Sequence, residues 1–220
     1  TIAQIRAYKP QSSSLGCGQV LPCPYTADKA RIVVQEMIDG ISLELVEKRL
    51  VTDQLVLTVG YDIENLTRPE IRKVYKGPVT TDRYGRRVPK HAHGTWNLPR
   101  ATSSSSELLE AMAALYDKIV NPALLIRRMS LSACHVVNEK MAKEREQKET
   151  FEQLDLFTDY AKKEAKEKEE QKKRERERRM QEALLTIKKK YGKNAVLRGM
   201  NFEEGATAKE RNGQIGGHQA

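Results

Sequence analysis

Residues 124–137 read LLIRRMSLSACHVV, and the alternation inside that run decides the fold. On an extended chain Met129, Leu131 and Ala133 fall to one side and Arg128, Ser130 and Ser132 to the other. A period of two with one apolar and one polar set describes a strand that buries a single face. The expected sheet is covered on one side and open on the other, with hydroxyls and cations on the open side.

The preceding residues supply the cover. Ser104 followed by Glu107 fits a capping box, and Leu108, Met112, Leu115, Tyr116 and Ile119 then recur on one helical face up to Asn121-Pro122. Before that helix, Gly94 to Thr102 predicts a strand carrying Trp96 and Leu98, with Pro99 favouring an edge or irregular position. Gln54 to Asp62, QLVLTVGYD, predicts a central strand with Leu55, Leu57 and Val59 on one face. From Thr26, a plausible cap, a second helix places Val34, Met37, Ile38, Ile41 and Leu45 on its core side. Ser12 to Leu21 is the first strand, expected to stop at Pro22 and Pro24.

The order is β-α-β-β-α-β, an α+β fold: a split βαββαβ four-stranded sheet with two helices on one face. Its open side, with Arg128, Ser130 and Ser132, suits a phosphate backbone, because hydroxyls and guanidinium groups donate to phosphate oxygens. A merely solvated face would carry the same residues, and the strand alone leaves both readings open. Between the second and third strands, residues 64–93 form a long connection with eight basic and three acidic side chains. Connections of that length are usually functional or mobile.

Composition divides the chain. Residues 1–11 read as a linker, 12–138 as the folded domain, 139–158 as a second linker, 159–191 as a charged helix and 192–220 as an irregular tail. Residues 159–180 hold ten basic and seven acidic side chains, with pairs such as Glu164 and Lys168 four apart. That spacing predicts a solvated helix, and without apolar a and d positions it is not a coiled coil. The opening TIAQIRAYKPQ has the character of an interior linker, so the chain is expected to be a piece of a longer protein.

The balance of 39 Lys and Arg against 30 Asp and Glu gives a net charge of +9, which favours a polyanion or an acidic surface and also serves solubility. Cys17, Cys23 and Cys134 form no CxxC pair, the usage of a reduced, cytoplasmic protein. His91 and His93 lie near no thiol or acidic cluster, so no metal site is expected. No apolar stretch approaches a membrane span, so no membrane is expected as a partner.

One motif stands apart. Gln153, Leu154, Asp155, Leu156 and Phe157 form an apolar island between two charged runs. Such an island either packs back on its own domain as a helical turn or enters a partner's hydrophobic cleft.

Taken together, SSSLGCGQVL (12–21), LVLTVGYD (55–62), DRYGRRVPKHAHGT (82–95), LLIRRMSL (124–131), QLDLF (153–157) and KKYGKNAVLRG (189–199) resemble the C-terminal third of Y-family translesion DNA polymerases. The branch that the sequence looks like is that of the UmuC-like DNA repair polymerases of Gram-positive bacteria. The resemblance implies a little finger domain lying across primer-template DNA during DNA damage bypass in the SOS response. It implies phosphate contacts at Ser14 and Arg128 and, more weakly, at Thr102 and Ser103. Ser132 falls where several relatives carry a basic residue, so no direct phosphate ion pair is expected there. Arg83, Arg86, Arg87 and Lys90 in the basic connection are candidate DNA contacts on charge alone. QLDLF is similar to the pentapeptide that enters the cleft of the bacterial sliding clamp, with Gln153 in a polar subsite, Leu156 and Phe157 in an apolar one and Leu154 packed between.

The family's nucleotidyltransferase chemistry uses palm carboxylates holding Mg²⁺. Asp53, Asp62 and Glu64 do not match them. No catalytic residue and no cofactor are therefore expected in this chain, and the palm, fingers and thumb would belong to the rest of the polymerase. The rival reading is a basic protein-interaction adaptor that never meets DNA.

Overall fold

The computed structural model describes Ile2 and residues 13–149, 160–215 and 218–219. The sheet is built from β1 (Leu15–Tyr25), β2 (Leu50–Tyr61), β5 (Ala92–Thr102) and β6 (Ile126–Cys134). Their order is β1-β6-β2-β5 with every neighbouring pair antiparallel. The two-residue strand β7 (Val137–Asn138) pairs with the start of β2. Helices α1 (Ala27–Lys48) and α4 (Ser105–Ile119) cover one face. The architecture is the α+β arrangement the alternation predicts.

Strong local signals set the core. In α1, Ala30, Val33, Val34, Met37, Ile38, Ile41 and Leu45 are all buried, at spacings of three and four that form one stripe. They meet Leu55, Leu57 and Val59 of β2 and Met129, Leu131 and Ala133 of β6. Leu108, Met112, Leu115 and Tyr116 of α4 complete the layer. Each fully buried Leu or Ile contributes about 1.5–3 kcal/mol.

The first strand does not stop at its prolines. It runs on to Tyr25, with a register shift between Val20 and Tyr25 where it pairs β6. Because β1 is an edge of the sheet, Pro22 and Pro24 break no ladder on its free side. The expected cap at Thr26 is an extended N-cap residue without a side-chain bond. At α4 only half of the capping box forms. Ser104 Oγ accepts from Glu107 N at 3.3 Å, while the Glu107 carboxylate turns to Arg100 and Arg174.

The long connection is ordered as well. It holds two short helices, α2 (Glu64–Thr67) and α3 (Pro69–Val74), and a hairpin of β3 (Val79–Thr81) with β4 (Arg87–Pro89).

The largest departure lies at the C-terminal end. After α5 (Glu139–Glu149), helix α6 (Tyr160–Tyr191) is not a fully solvated rod. Gln181 is buried, donating to Ser103 O at 3.0 Å and to Ser105 Oγ at 2.8 Å. Ser105 Oγ is itself 2.7 Å from Ser42 Oγ, so one polar node joins α1, α4 and α6. Glu177 accepts from Ser104 Oγ, Ser106 N and Ser106 Oγ at 2.6–2.9 Å, a carboxylate at the start of α4.

The residues that follow are anchored too. Buried Glu36 of α1 accepts from Asn201 Nδ2, Thr207 N, Thr207 Oγ1 and Ala208 N. Arg211, the last residue of the four-residue helix α7 (Ala208–Arg211), donates to Gln19 Oε1 at 2.7 Å and so reaches β1. Arg198 pairs with Asp39 at 2.7 Å, and burial pushes the Asp39 carboxyl up. The irregular tail is therefore a second layer on α1.

Candidate nucleic-acid interface

With α1, α4, α6 and the tail gathered on one side, the opposite face of the sheet stays open. Register lays out its rows. Gly16, Gly18 and Val20 of β1 stand opposite Ser132, Ser130 and Arg128 of β6. On the other flank of β6 come Val56, Thr58 and Gly60 of β2, and beyond them Thr95 and His93 of β5. No Asp or Glu occupies these positions. Two cross-strand contacts order the far side: Gln54 Nε2 donates to Asn97 Oδ1, and Thr58 Oγ1 lies 2.9 Å from His93 Nδ1.

Arg128 is the single cation of the central row. It is exposed and makes no hydrogen bond or ion pair among the described residues. Its neighbour Arg127 faces elsewhere, 3.8 Å from Asp62. Gly60 makes the position possible. A Cβ there would stand 2.7 Å from Arg128 Cγ and 2.8 Å from Nε, so the side chain lies flat across the glycine. Ser14 is exposed just before β1, at the far end of the row from Val20. Six residues of strand separate the two ends, roughly 20 Å at 3.3 Å per residue. That is the length of about six base pairs of duplex.

The other expected contacts divide sharply. Thr102 is buried, and its Oγ1 accepts from Ser104 N at 3.1 Å. Ser103 is bound by α6, its carbonyl by Gln181 and its Oγ by Arg178 Nη1 at 3.2 Å. These two residues belong to the α6 seam and not to the open face. In the hairpin, Arg86 pairs with Asp82 at 2.8 Å. Arg83, Arg87 and Lys90 are exposed and unpaired among the described residues. The hairpin leaves the sheet after Tyr61 and returns at Ala92, the same end as Gly60 and Arg128.

Gln153, Leu154, Asp155, Leu156 and Phe157 lie outside the described residues. Asp53, Asp62 and Glu64 do not converge. Asp53 contacts His135 Nδ1 at 2.9 Å, whereas Asp62 Oδ1 accepts from Glu64 N at 2.8 Å. A wide cleft between α5, α6 and the end of β5 is lined by Arg100, Arg174 and Arg178. These three are paired with carboxylates, whereas Arg145 and Arg179, also in the lining, make no ion pair among the described residues; the cleft follows the seam where α6 docks. Cys17, Cys23 and Cys134 are free thiols, and burial pushes the Cys17 thiol up. Among the described residues no helix is long and apolar enough to cross a membrane.

Sequence reasoning found Arg128, Ser130 and Ser132 but missed Gly60 and Thr58, although Gln54, Val56, Thr58 and Gly60 alternate with Leu55, Leu57 and Val59. It missed Tyr84 as well. That side chain stands at the hairpin tip, 79% exposed.

No family model matches the chain, and no curated protein matches it. Among solved structures it is similar to one described as "Complex of beta-clamp processivity factor and little finger domain of PolIV". The identity is 9% and the TM-score 0.36, over 66% of this chain and 100% of that one.

Proposed function

We propose that the chain is a DNA-holding little finger domain of an error-prone translesion polymerase, gripping primer-template duplex by its backbone and tethered to a bacterial sliding clamp. The observation that carries this reading is the open sheet face: without carboxylates at the positions of its rows, rich in hydroxyls, and with an unpaired Arg128 at one end that lies in the space Gly60 leaves. Phosphates need only such donors, and a surface of this kind reads no sequence. Ser130 and Ser132 would bond phosphate oxygens along the row from Arg128, and Ser14 one at the opposite end. Arg83, Arg87 and Lys90 would follow the backbone beyond the sheet.

In this reading nucleotidyl transfer, with its Mg²⁺, belongs to a palm elsewhere in the polymerase, and the protein works in the cytoplasm during repair. Support for the clamp rests on QLDLF itself, whose Leu156 and Phe157 would be the anchors. Anchors of that kind cost about 2 kcal/mol or more when truncated.

The test is a titration of two duplexes of unrelated sequence at low and moderate salt, with wild type and Arg128→Ala. Wild type should bind both alike and weaken steeply with salt, and Arg128→Ala should flatten the log-log salt slope by about 0.9. Affinity confined to one sequence, or independent of salt, would overturn the proposal. No binding at low salt would favour the adaptor. For the clamp, Leu156→Ala with Phe157→Ala should abolish binding to the purified clamp; unchanged affinity would remove that partner.

A further inference from the structure

The hairpin between β2 and β5 ends in a turn built to present one aromatic ring. Asp82 organises it: Oδ1 accepts from Tyr84 N at 2.8 Å and from Arg86 N at 2.9 Å, and Oδ2 accepts from Arg86 Nε at 2.8 Å. The backbone closes with Asp82 N donating to Arg86 O and Gly85 N to Asp82 O. Gly85 takes a φ of +76°, a conformation that costs other residues more. Every one of these bonds fixes the chain on either side of Tyr84 and leaves its side chain outside.

An aromatic ring held in water on a fixed turn has no packing role in the domain. Arg86 lies over one face of the ring, 5.1 Å from its centre, which leaves the other face open. Arg83 and Arg87 stand exposed on either side in the sequence. An open aromatic face flanked by free cations is the combination that binds single-stranded nucleic acid, the ring stacking on a base while the cations meet phosphates. An acidic protein surface would use the cations but would have no need of the ring. Bases inside a duplex are already stacked on their neighbours, so the base available to Tyr84 is an unpaired one.

We propose that Tyr84 is a stacking finger for an unpaired base at the end of the duplex held on the open sheet face. This rests on the nucleic-acid reading of that face, and the hairpin belongs to the connection that leaves and rejoins the sheet at the end where Arg128 lies. The finger gives the domain a preference for junctions between double- and single-stranded DNA, without a preference for base identity.

The experiment compares a labelled blunt duplex with the same duplex carrying a short single-stranded overhang, using the whole chain and anisotropy. Wild type should favour the overhang by about tenfold. Tyr84→Phe should keep that ratio, and Tyr84→Ala should bring it to about one with the salt slope unchanged, since no phosphate contact is lost. Arg128→Ala should weaken both DNAs and leave the ratio intact. A 2-aminopurine in the overhang should change its fluorescence with wild type and with Tyr84→Phe, but not with Tyr84→Ala. If wild type binds both DNAs equally, or Tyr84→Ala retains the ratio, the finger is overturned while the face survives. If wild type binds neither at low salt, the face fails and takes the finger with it.

Discussion

The connection from 64 to 93 and helix α6 are two strongly charged regions, and they spend their charge differently. The connection has eight bases and three acids, two of the acids are used by Arg68 and Arg86, and Arg72, Lys73, Lys76, Arg83, Arg87 and Lys90 make no ion pair among the described residues. Helix α6 interleaves acids among its bases and turns one side inward, where Arg174 reaches Glu107 and Arg178 reaches Glu139. Charge density therefore does not mark a binding surface. Both regions also keep exposed cations without an ion pair among the described residues, Lys172, Lys173, Arg176 and Arg179 in α6 and Arg83, Arg87 and Lys90 in the connection, so leftover charge alone does not mark one either. The docked region should govern stability and the free region should govern binding, and each can be broken without the other.

The sharpest test removes the anchor of the docked side. Glu36→Ala strands four donors in a buried place and should destabilise the fold by about 3 kcal/mol in urea unfolding. Duplex affinity measured well below the unfolding midpoint should stay unchanged; a parallel loss would mean that the two regions are one. Replacing Arg83, Arg87 and Lys90 together by Ala makes the opposite cut. Stability should move by less than about 0.5 kcal/mol, while the salt slope of DNA binding should fall by up to about 2.7. An unchanged slope would place the hairpin off the DNA.

Smaller effects refine the line. Glu177→Ala removes the carboxylate from the start of α4 and should cost about 1 kcal/mol without touching DNA binding. At Asp82 the backbone N–H of Arg86 is the leading influence that draws the carboxyl below its ordinary value of 3.8, joined by the Arg86 side chain and Tyr84 N. A depressed folded value stabilises the turn above the unfolded value and loses that support as pH falls through the folded one. Amide exchange at Tyr84 and Arg86 should therefore lose protection under acid conditions, before that of β2 does. Equal loss at both places would mean that the tip has no stability of its own.

The sheet and its helices were legible because burial on one face imposes a period. Arg128, Ser130 and Ser132 could be read from Met129, Leu131 and Ala133, just as α1 could be read from its stripe. The docking of α6 and the tail left no such trace. It depends on single polar residues, Gln181, Glu177 and Glu36, whose partners lie dozens of positions away, and a hydrogen bond between distant residues has no period. Ser103, named on the family resemblance, is an example: it is held by Arg178 and Gln181, partners that no local pattern announces. The extension of β1 beyond Pro22 was hidden because its edge position is a property of the sheet and not of the strand.

Gly60 carries a consequence for how variation at this protein would be interpreted. Position 60 bears no charge and lies in a buried strand, so exchange for alanine would look like a minor change of core volume. Its added methyl would instead collide with Arg128 Cγ and Nε and swing the guanidinium off the sheet. A single carbon atom would thus relocate a charge while net charge, core composition and every ionisable group remained the same. A weakened DNA grip from Gly60→Ala would be a steric effect with an electrostatic signature.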